Sequence, residues 1–87
     1  MRIEFHEVAW TDYLDWQQTN KAILKRINLL IKDIQREPFA GIGKPELLRH
    51  DLSGFWSRRI DDANRLVYIV ENDVLIIVQC RGHYDSH

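Results

Sequence analysis

Residues 55–80 read FWSRRIDDANRLVYIVENDVLIIVQC, and this stretch decides the fold. It contains three runs rich in β-branched and aromatic side chains, at 55–60, 65–70 and 74–80. Segments of only four and three residues separate consecutive runs, and their Asp and Asn residues are typical of turns. Because a parallel crossover needs a dozen residues or more, connections this short join antiparallel neighbours. The stretch therefore predicts a three-stranded antiparallel meander.

The alternation of side chains in the third run predicts where that strand lies. One set of alternating positions is Val74, Ile76, Val78 and Cys80, and the other is Leu75, Ile77, Gln79 and Arg81. Both sets are apolar at the centre of the run, so we expect this strand to lie inside the sheet. The same alternation places Cys80 on a buried face, which makes it a poor nucleophile.

The residues before the meander predict one strand and two helices. Residues 2–6 alternate as a short strand does, and residues 8–18 have a loosely helical spacing. The clearest helix follows, capped by Thr19 or Asn20 and stopped by Pro38. Its apolar positions recur at intervals of three and four: Ile23, Leu24, Ile27, Leu30, Ile31 and Ile34. Residues 37–47 contain two Gly and two Pro, so we expect a loop there.

These elements predict an α+β fold in a single domain spanning residues 1–87. It has a short N-terminal strand, two helices, and an antiparallel β-meander with the helices packed on one sheet face. The other face is expected to be an open, concave surface with Arg at its edges. Chains of 87 residues leave no room for a second core.

Composition narrows the class of protein. The chain is 45% apolar and 29% charged, which is typical of a soluble globular protein. Its 12 bases and 13 acids nearly cancel, so a basic nucleic-acid tail and a polybasic membrane anchor are excluded. The longest apolar run has five residues, at 74–78, whereas a membrane span needs about 20. With one cysteine and no signal-peptide pattern, we expect a cytoplasmic protein without a membrane contact.

Several polar residues remain after the needs of folding are met. They are Glu46, the group Arg49, His50, Arg58, Arg59 and Arg65, and the segment Arg81-Gly82-His83-Tyr84. Singly, each has an ordinary structural explanation: a loop Glu is solvated, and Arg on edge strands prevents aggregation. Trp56, beside the basic pair, is expected to belong to the core rather than to a recognition surface.

Taken together, the same residues are the parts needed to cut RNA without a metal. Glu46 could accept the proton of a 2′-hydroxyl. His83 could protonate the leaving 5′-oxygen, because histidine changes protonation near neutral pH. Arginine is the best bidentate partner for the charge that gathers on the phosphate. The spacing His83-x₃-His87 resembles half of a zinc site, but no cysteine pair accompanies it, so we predict neither a metal nor another cofactor.

Several segments of the chain resemble one known family. They are Gly43-Lys44-Pro45-Glu46, the stretch LSGFWSRRI at 52–60, Arg65-Leu66-Val67-Tyr68 and His83-Tyr84. In them the chain is similar to the YoeB-type toxins of the RelE superfamily, which belong to bacterial toxin–antitoxin modules. The resemblance runs over nearly the full length and implies a RelE-like fold. It also implies a ribosome-dependent endoribonuclease that cuts mRNA in the ribosomal A site.

The resemblance assigns roles to individual residues. It implies that Glu46 is the general base, His83 the general acid, Arg65 the stabiliser of the transition-state charge and Tyr84 a substrate-positioning group. It implies further contacts to RNA from Lys44, Arg49 and Arg59. The implied partners are a YefM-type antitoxin, the ribosome with its mRNA, and a second copy of the chain.

Two non-catalytic alternatives remain open at this point. Superfamily members of the ParE type share the fold, lack the catalytic set and poison DNA gyrase. The joint presence of Glu46, Arg65, His83 and Tyr84 argues against that alternative. The other is a degenerate toxin that acts only as an antitoxin-binding module, which the sequence leaves open because activity depends on fine geometry.

Overall fold

The second helix has the strongest sequence signal and forms as predicted. The computed structural model describes residues 1–83, and in it helix α2 spans Lys21–Arg36. Its cap is Asn20, whose side-chain oxygen accepts a hydrogen bond from the Ile23 amide at 3.2 Å. The helix ends just before Pro38 and buries one apolar stripe, Ile27, Leu30, Ile31 and Ile34. Helix α1 spans Glu7–Thr19 and buries Ala9 against the same core.

The strands form one five-stranded sheet. They are β1 (Arg2–Phe5), β2 (Glu46–Leu47), β3 (Trp56–Arg59), β4 (Arg65–Glu71) and β5 (Val74–Gln79). Their order is β1-β5-β4-β3-β2, and a 3₁₀ turn at His50–Leu52 lies between β2 and β3. The predicted antiparallel meander of β3, β4 and β5 is confirmed. The interior position of β5 is also confirmed, because β1 pairs with its free edge in parallel.

The prediction of a loop over residues 37–47 is wrong at its end, where Glu46 and Leu47 form strand β2. Glu46 pairs with Ser57, and Leu47 pairs with Trp56, in antiparallel register. A strand of two residues directly after Pro45 has no periodicity to detect, so only the presence of β3 beside it makes it a strand.

The helices pack on one face of the sheet, as predicted. The core contains Leu66, Tyr68, Leu75 and Ile77 from the strands together with the apolar stripe of α2, and Trp56 packs against it. Trp56 therefore belongs to the core side, where its ring lies 5.0 Å from that of Phe39. The opposite sheet face carries no helix, and we call it the helix-free face.

A β-bulge in β5 corrects the predicted facing of Cys80. Val67 pairs with Gln79 and Tyr68 pairs with Ile77, so Val78 is an extra residue without a partner in β4. The bulge reverses the alternation beyond Ile77. Gln79 consequently turns to the helix-free face, whereas Cys80 joins the core with Ile77. Cys80 is buried as predicted, but on the side opposite to the one that strict alternation gives.

The helix-free face is not as open as predicted. Leu48, Ser57 and Val67 are all less than 5% exposed on this side, although no helix covers them. A Cβ at Gly54 would lie 4.0 Å from the Ile69 side chain, so the segment between β2 and β3 packs over one end of the face. No helix within residues 1–83 is long and apolar enough to cross a bilayer.

Candidate active site

Three of the predicted site residues share the helix-free face. Glu46 pairs with Ser57, and Ser57 pairs with Val67, so these side chains form one row across β2, β3 and β4. Arg59 pairs with Arg65 in the next row of the same face. Strand β3 lies between β2, which carries Glu46, and β4, which carries Arg65, so the two backbones are two strand spacings, about 10 Å, apart. A phosphate between them is within reach of the long Glu and Arg side chains.

The chain after β5 returns to the start of β4 and brings His83 near Arg65. The Arg65 amide donates a hydrogen bond to the Gly82 carbonyl oxygen at 2.9 Å. Gly82 has a φ of +72°, a left-handed conformation that favours glycine. His83 follows directly and is exposed. The structure thus brings the backbone of His83 close to Arg65 at the start of β4.

The turn before His83 is held from the sheet side by two amide side chains. Asn64 is 8% exposed, and its side-chain oxygen accepts a hydrogen bond from the Gly82 amide at 2.8 Å. The Gln79 amide nitrogen donates to the Arg81 carbonyl at 3.0 Å and to the Gly82 carbonyl at 3.2 Å. Sequence reasoning did not single out Asn64 or Gln79, because neither belongs to a recognisable motif and the bulge that aims Gln79 is a property of the folded sheet.

Helix α1 holds the same turn from the core side. The Trp16 indole nitrogen donates to the Cys80 carbonyl at 3.0 Å. Arg81 forms ion pairs with Asp12 and Asp15, and its guanidinium lies 4.3 Å from the centre of the Trp16 ring. The hydrogen bond from Arg81 to Asp15 raises the pKa of the guanidinium. Arg81 is therefore occupied in joining α1 to the turn.

The predicted RNA contacts lie around the edge of this site. The Arg59 amide donates to the Gly43 carbonyl at 2.7 Å, so Lys44 lies beside Arg59. Lys44 and Arg49 are both exposed. The side chain of Arg59 forms an ion pair with Asp62, a carboxylate that is 92% exposed. An exposed pair of this kind is weak, so Arg59 can exchange Asp62 for a phosphate at little cost.

Arg58 does not belong with the other cations, although the sequence grouped it with them. Its side chain is fully buried. The guanidinium donates to the Asp33 carboxylate at 2.6 Å and to the carbonyls of Ile42, Glu37 and Ala40 at 3.1, 2.7 and 3.1 Å. Its Nε donates to the Tyr68 hydroxyl at 3.1 Å. Arg58 therefore anchors the loop after α2 to the sheet and cannot contact RNA.

Two further buried side chains bear on the chemistry, one in the core and one on the helix-free face. Burial raises the pKa of the Cys80 thiol to about 12, in agreement with its predicted inertness. The Ser57 hydroxyl, in the row of Glu46, is buried and has no hydrogen-bond partner among residues 1–83. Tyr84 lies outside the described residues, and so does His87. Within residues 1–83, no three His, Cys, Asp or Glu side chains gather into a potential metal site.

This fold is that of small bacterial toxins of the RelE type. The structure superposes on YafQ from Escherichia coli BL21(DE3) with a TM-score of 0.72 at 17% identity, over 95% of this chain and 94% of that one. It superposes on a YoeB/ParE toxin from Agrobacterium tumefaciens with a TM-score of 0.94 at 44% identity, over 97% and 100% of the two chains. The predicted RelE-like α+β fold is thereby confirmed.

Sequence comparison identifies the family within this class. Residues 5–84 match the family model described as the YoeB-like toxin of the bacterial type II toxin-antitoxin system. Toxin YoeB of Escherichia coli K12 is 58% identical over 84 residues, which are 97% of this chain and 100% of that protein. The chain belongs to the YoeB-like toxin family.

One relative has been solved both alone and with a partner. The YoeB dimer from Staphylococcus aureus has a TM-score of 0.90 at 44% identity, over 97% of this chain and 98% of that one. The heterotetrameric YoeB-YefM toxin-antitoxin complex from the same species gives the same TM-score, identity and coverage.

Proposed function

We propose that this YoeB-like toxin is an endoribonuclease that cuts mRNA in the ribosomal A site and thereby inhibits translation. The observation that supports the proposal is that Glu46 and Arg65 share one sheet face, while a backbone hydrogen bond brings the segment before His83 to the start of β4. Glu46 comes from β2, Arg65 from β4 and His83 from the turn after β5. Their carboxylate, guanidinium and imidazole are the three functions that metal-independent RNA cleavage requires.

In the proposed reaction, Glu46 accepts the proton of the 2′-hydroxyl at the cut site. The 2′-oxygen forms a bond to phosphorus, and the bond between phosphorus and the 5′-oxygen breaks. Protonated His83 gives its proton to that 5′-oxygen. The products are a 2′,3′-cyclic phosphate and a 5′-hydroxyl, and each proton transfer contributes about 10²–10⁴-fold.

Cations supply the electrostatic part of the proposed mechanism. Arg65 stabilises the extra negative charge of the pentavalent phosphate. Lys44, Arg49 and Arg59 hold neighbouring phosphates and orient the strand, and Tyr84 positions the reacting nucleotide. The chain acts as one domain in the cytoplasm, without a metal or another cofactor.

The proposed partners follow from the relatives. Because Staphylococcus aureus YoeB is found with YefM and as a dimer, we propose a YefM-type antitoxin and a homodimer for this chain. No specific observation favours action by binding alone.

The proposal is tested by mapping cuts in mRNA with a purified translation system, with and without ribosomes. We expect wild-type protein to cut at A-site codons only when ribosomes are present. Glu46→Gln and His83→Gln should each slow cleavage about 10²–10⁴-fold. The matched controls are Glu71→Gln and His6→Gln, which remove the same groups from exposed positions outside the site and should cut at the wild-type rate.

Two results would overturn the proposal. One is full cleavage by both site variants, which would remove the acid–base mechanism. The other is the absence of any cut by folded, antitoxin-free protein, in which case inhibition of gyrase becomes the next measurement.

A further inference from the structure

We propose that Asn64 and Gln79 are positioning residues for His83, so that proton donation to the leaving oxygen depends on both. The inference rests on the proposed function and concerns residues that do not themselves contact the RNA. Together with the Arg65 amide, the two side chains occupy both backbone hydrogen-bonding groups of Gly82. We call this set of hydrogen bonds the Gly82 clamp.

The imidazole of His83 makes no hydrogen bond or ion pair with any other residue of the described chain. The place from which the imidazole reaches the RNA is therefore set by the backbone that precedes His83. That backbone leaves the sheet at Gln79 and turns through a glycine with left-handed φ, which by itself permits many conformations. The Gly82 clamp selects one of them.

A different local feature orients each of the two side chains, Gln79 and Asn64, toward Gly82. The bulge at Val78 directs Gln79 to the helix-free face, where its amide reaches two successive carbonyls. Asn64 is held in the turn between β3 and β4, where its amide nitrogen donates to Asp61 at 3.0 Å. The Asp61 carboxylate also accepts from the Ala63 amide at 2.9 Å. Asn64 is thus pre-oriented before it receives the Gly82 amide.

The physical consequence is that the backbones that carry the acid and the charge stabiliser are joined. Arg65 is the neighbour of Asn64 in sequence, and its own amide completes the Gly82 clamp. His83 and Arg65 are therefore positioned by the same set of hydrogen bonds. A displacement of about 1 Å at a reacting group can reduce the rate about a hundredfold, so loosening the clamp should slow catalysis without altering RNA binding.

The test compares Asn64→Ala and Gln79→Glu with the wild type in single-turnover cleavage of ribosome-bound mRNA. Gln79→Glu keeps the shape of the side chain but replaces the donor by an acceptor that repels both carbonyls. We expect each variant to lower the maximal rate, by up to about a hundredfold. The toxin concentration that gives the half-maximal rate should not change. Gln35→Glu makes the same charge change on the exposed face of α2 and should cleave at the wild-type rate.

A modified substrate separates positioning of the acid from general damage to the fold. At the mapped cut position, the bridging 5′-oxygen is replaced by sulfur, which leaves as a thiolate without needing a proton. His83→Gln, Asn64→Ala and Gln79→Glu should then cleave within about threefold of the wild type, whereas Glu46→Gln should remain slow. Rescue of His83→Gln without rescue of the two clamp variants would overturn the inference, and so would normal rates for both variants on the unmodified RNA.

Failure of the proposed function would give a different pattern. In that case Glu46→Gln and His83→Gln would cleave the unmodified RNA normally, or the sulfur substrate would not rescue His83→Gln. The experiment therefore distinguishes failure of the positioning role of Asn64 and Gln79 from failure of the proposed cleavage mechanism.

Discussion

In the proposed complex, Asp62 competes with RNA for the side chain of Arg59. The two residues form an ion pair at the edge of the site, and Asp62 is almost fully exposed. In the proposed complex Arg59 must release this carboxylate before it binds a phosphate. The pair should therefore weaken RNA binding slightly in the wild-type protein.

The first prediction is that Asp62→Asn increases the affinity for ribosome-bound mRNA by up to about fivefold, because exposed ion pairs contribute about 0.2–1 kcal/mol. The effect should shrink at high salt. Titration of catalytically inactive protein, with and without the substitution, onto programmed ribosomes measures it. Asp73→Asn, an exposed acid in the β4–β5 turn, is the matched control. Equal affinities for Asp62→Asn and wild type at low salt would contradict competition between Asp62 and RNA for Arg59.

At the scale of single residues, the sequence identified candidate chemical groups but not which of them the fold would bury. The register of β3 and β4 puts Arg59 and Arg65 on one face and Arg58 on the other. The sequence grouped Arg58 with the other polar residues left over from folding, because a charged residue is rarely fully buried. Its partners are carbonyls of the loop after α2, and a sequence contains no sign of which carbonyls a loop will present.

The link between α2, β3 and the intervening loop depends on Arg58 and Asp33. Asp33 accepts from both Arg58 and Arg36, and from the Ile42 amide at 3.0 Å. A Cβ at Gly41 would collide with the Asp33 carboxylate, so glycine is required at this close approach. The loop leads directly to β2 and Glu46. Its anchoring therefore supports the proposed base as well as the fold.

The second prediction concerns the two arginines that share Asp33. Arg58→Met should lower the free energy of unfolding by about 3–5 kcal/mol, because it leaves Asp33 and several carbonyls without their buried partner. Arg36→Met removes the exposed partner of the same carboxylate and should cost less than about 1 kcal/mol. Urea unfolding followed by tryptophan fluorescence measures both. Similar losses in the two variants would contradict an anchoring role for Arg58.

The third prediction is that the free energy of unfolding falls at low pH because Asp33 becomes protonated. Hydrogen bonds from Arg36, Arg58 and the Ile42 backbone lower the pKa of Asp33 from 3.8 to about 2. Because the folded protein holds the charged form more tightly than the unfolded chain, this contribution is present above pH 4 and is lost as the pH falls toward 2. The urea midpoint of the wild type should therefore fall more steeply over this range than that of Asp33→Asn. Parallel curves for the two proteins would contradict the assignment.

At the scale of elements, long and periodic segments were predictable, and short or irregular ones were not. The heptad-like stripe of α2 and the two turns of the meander identify their elements without help from the rest of the chain. Strand β2 forms only because it pairs with β3. The bulge at Val78 results from a register shift between β4 and β5. Since both are products of pairing between distant segments, local patterns could not reveal them.

At the scale of the whole molecule, β1 is the edge strand that covers the outer edge of β5. It contributes little apolar burial of its own, because three of its four residues are exposed. Its backbone pairs with β5 from Arg2 to Phe5, and the ring of Phe5 lies 5.4 and 5.2 Å from the rings of Trp10 and Tyr13. Without β1, a strand of apolar residues would have an unpaired edge.

The fourth prediction is that removal of residues 1–5 makes the protein prone to aggregation. The uncovered edge of β5 should pair with other chains, so the truncated protein should form larger species at concentrations where the full chain does not. Light scattering across a concentration series measures this. Phe5→Ala in the full chain is the control, since it removes the ring contacts but keeps the backbone pairing. Aggregation of Phe5→Ala to the same degree would show that the ring, rather than the strand edge, matters.

The position of β5 also has a consequence for the order of synthesis. This strand is made after β4 but lies between β4 and β1, so the sheet stays divided until residue 79 has left the ribosome. The turn that carries His83 is made later still. A ribosome that translates this message therefore finishes nearly all of the described chain before an active nuclease can exist. For a protein proposed to act on ribosomes, the strand order delays formation of the active toxin until the ribosome that synthesises it has almost finished.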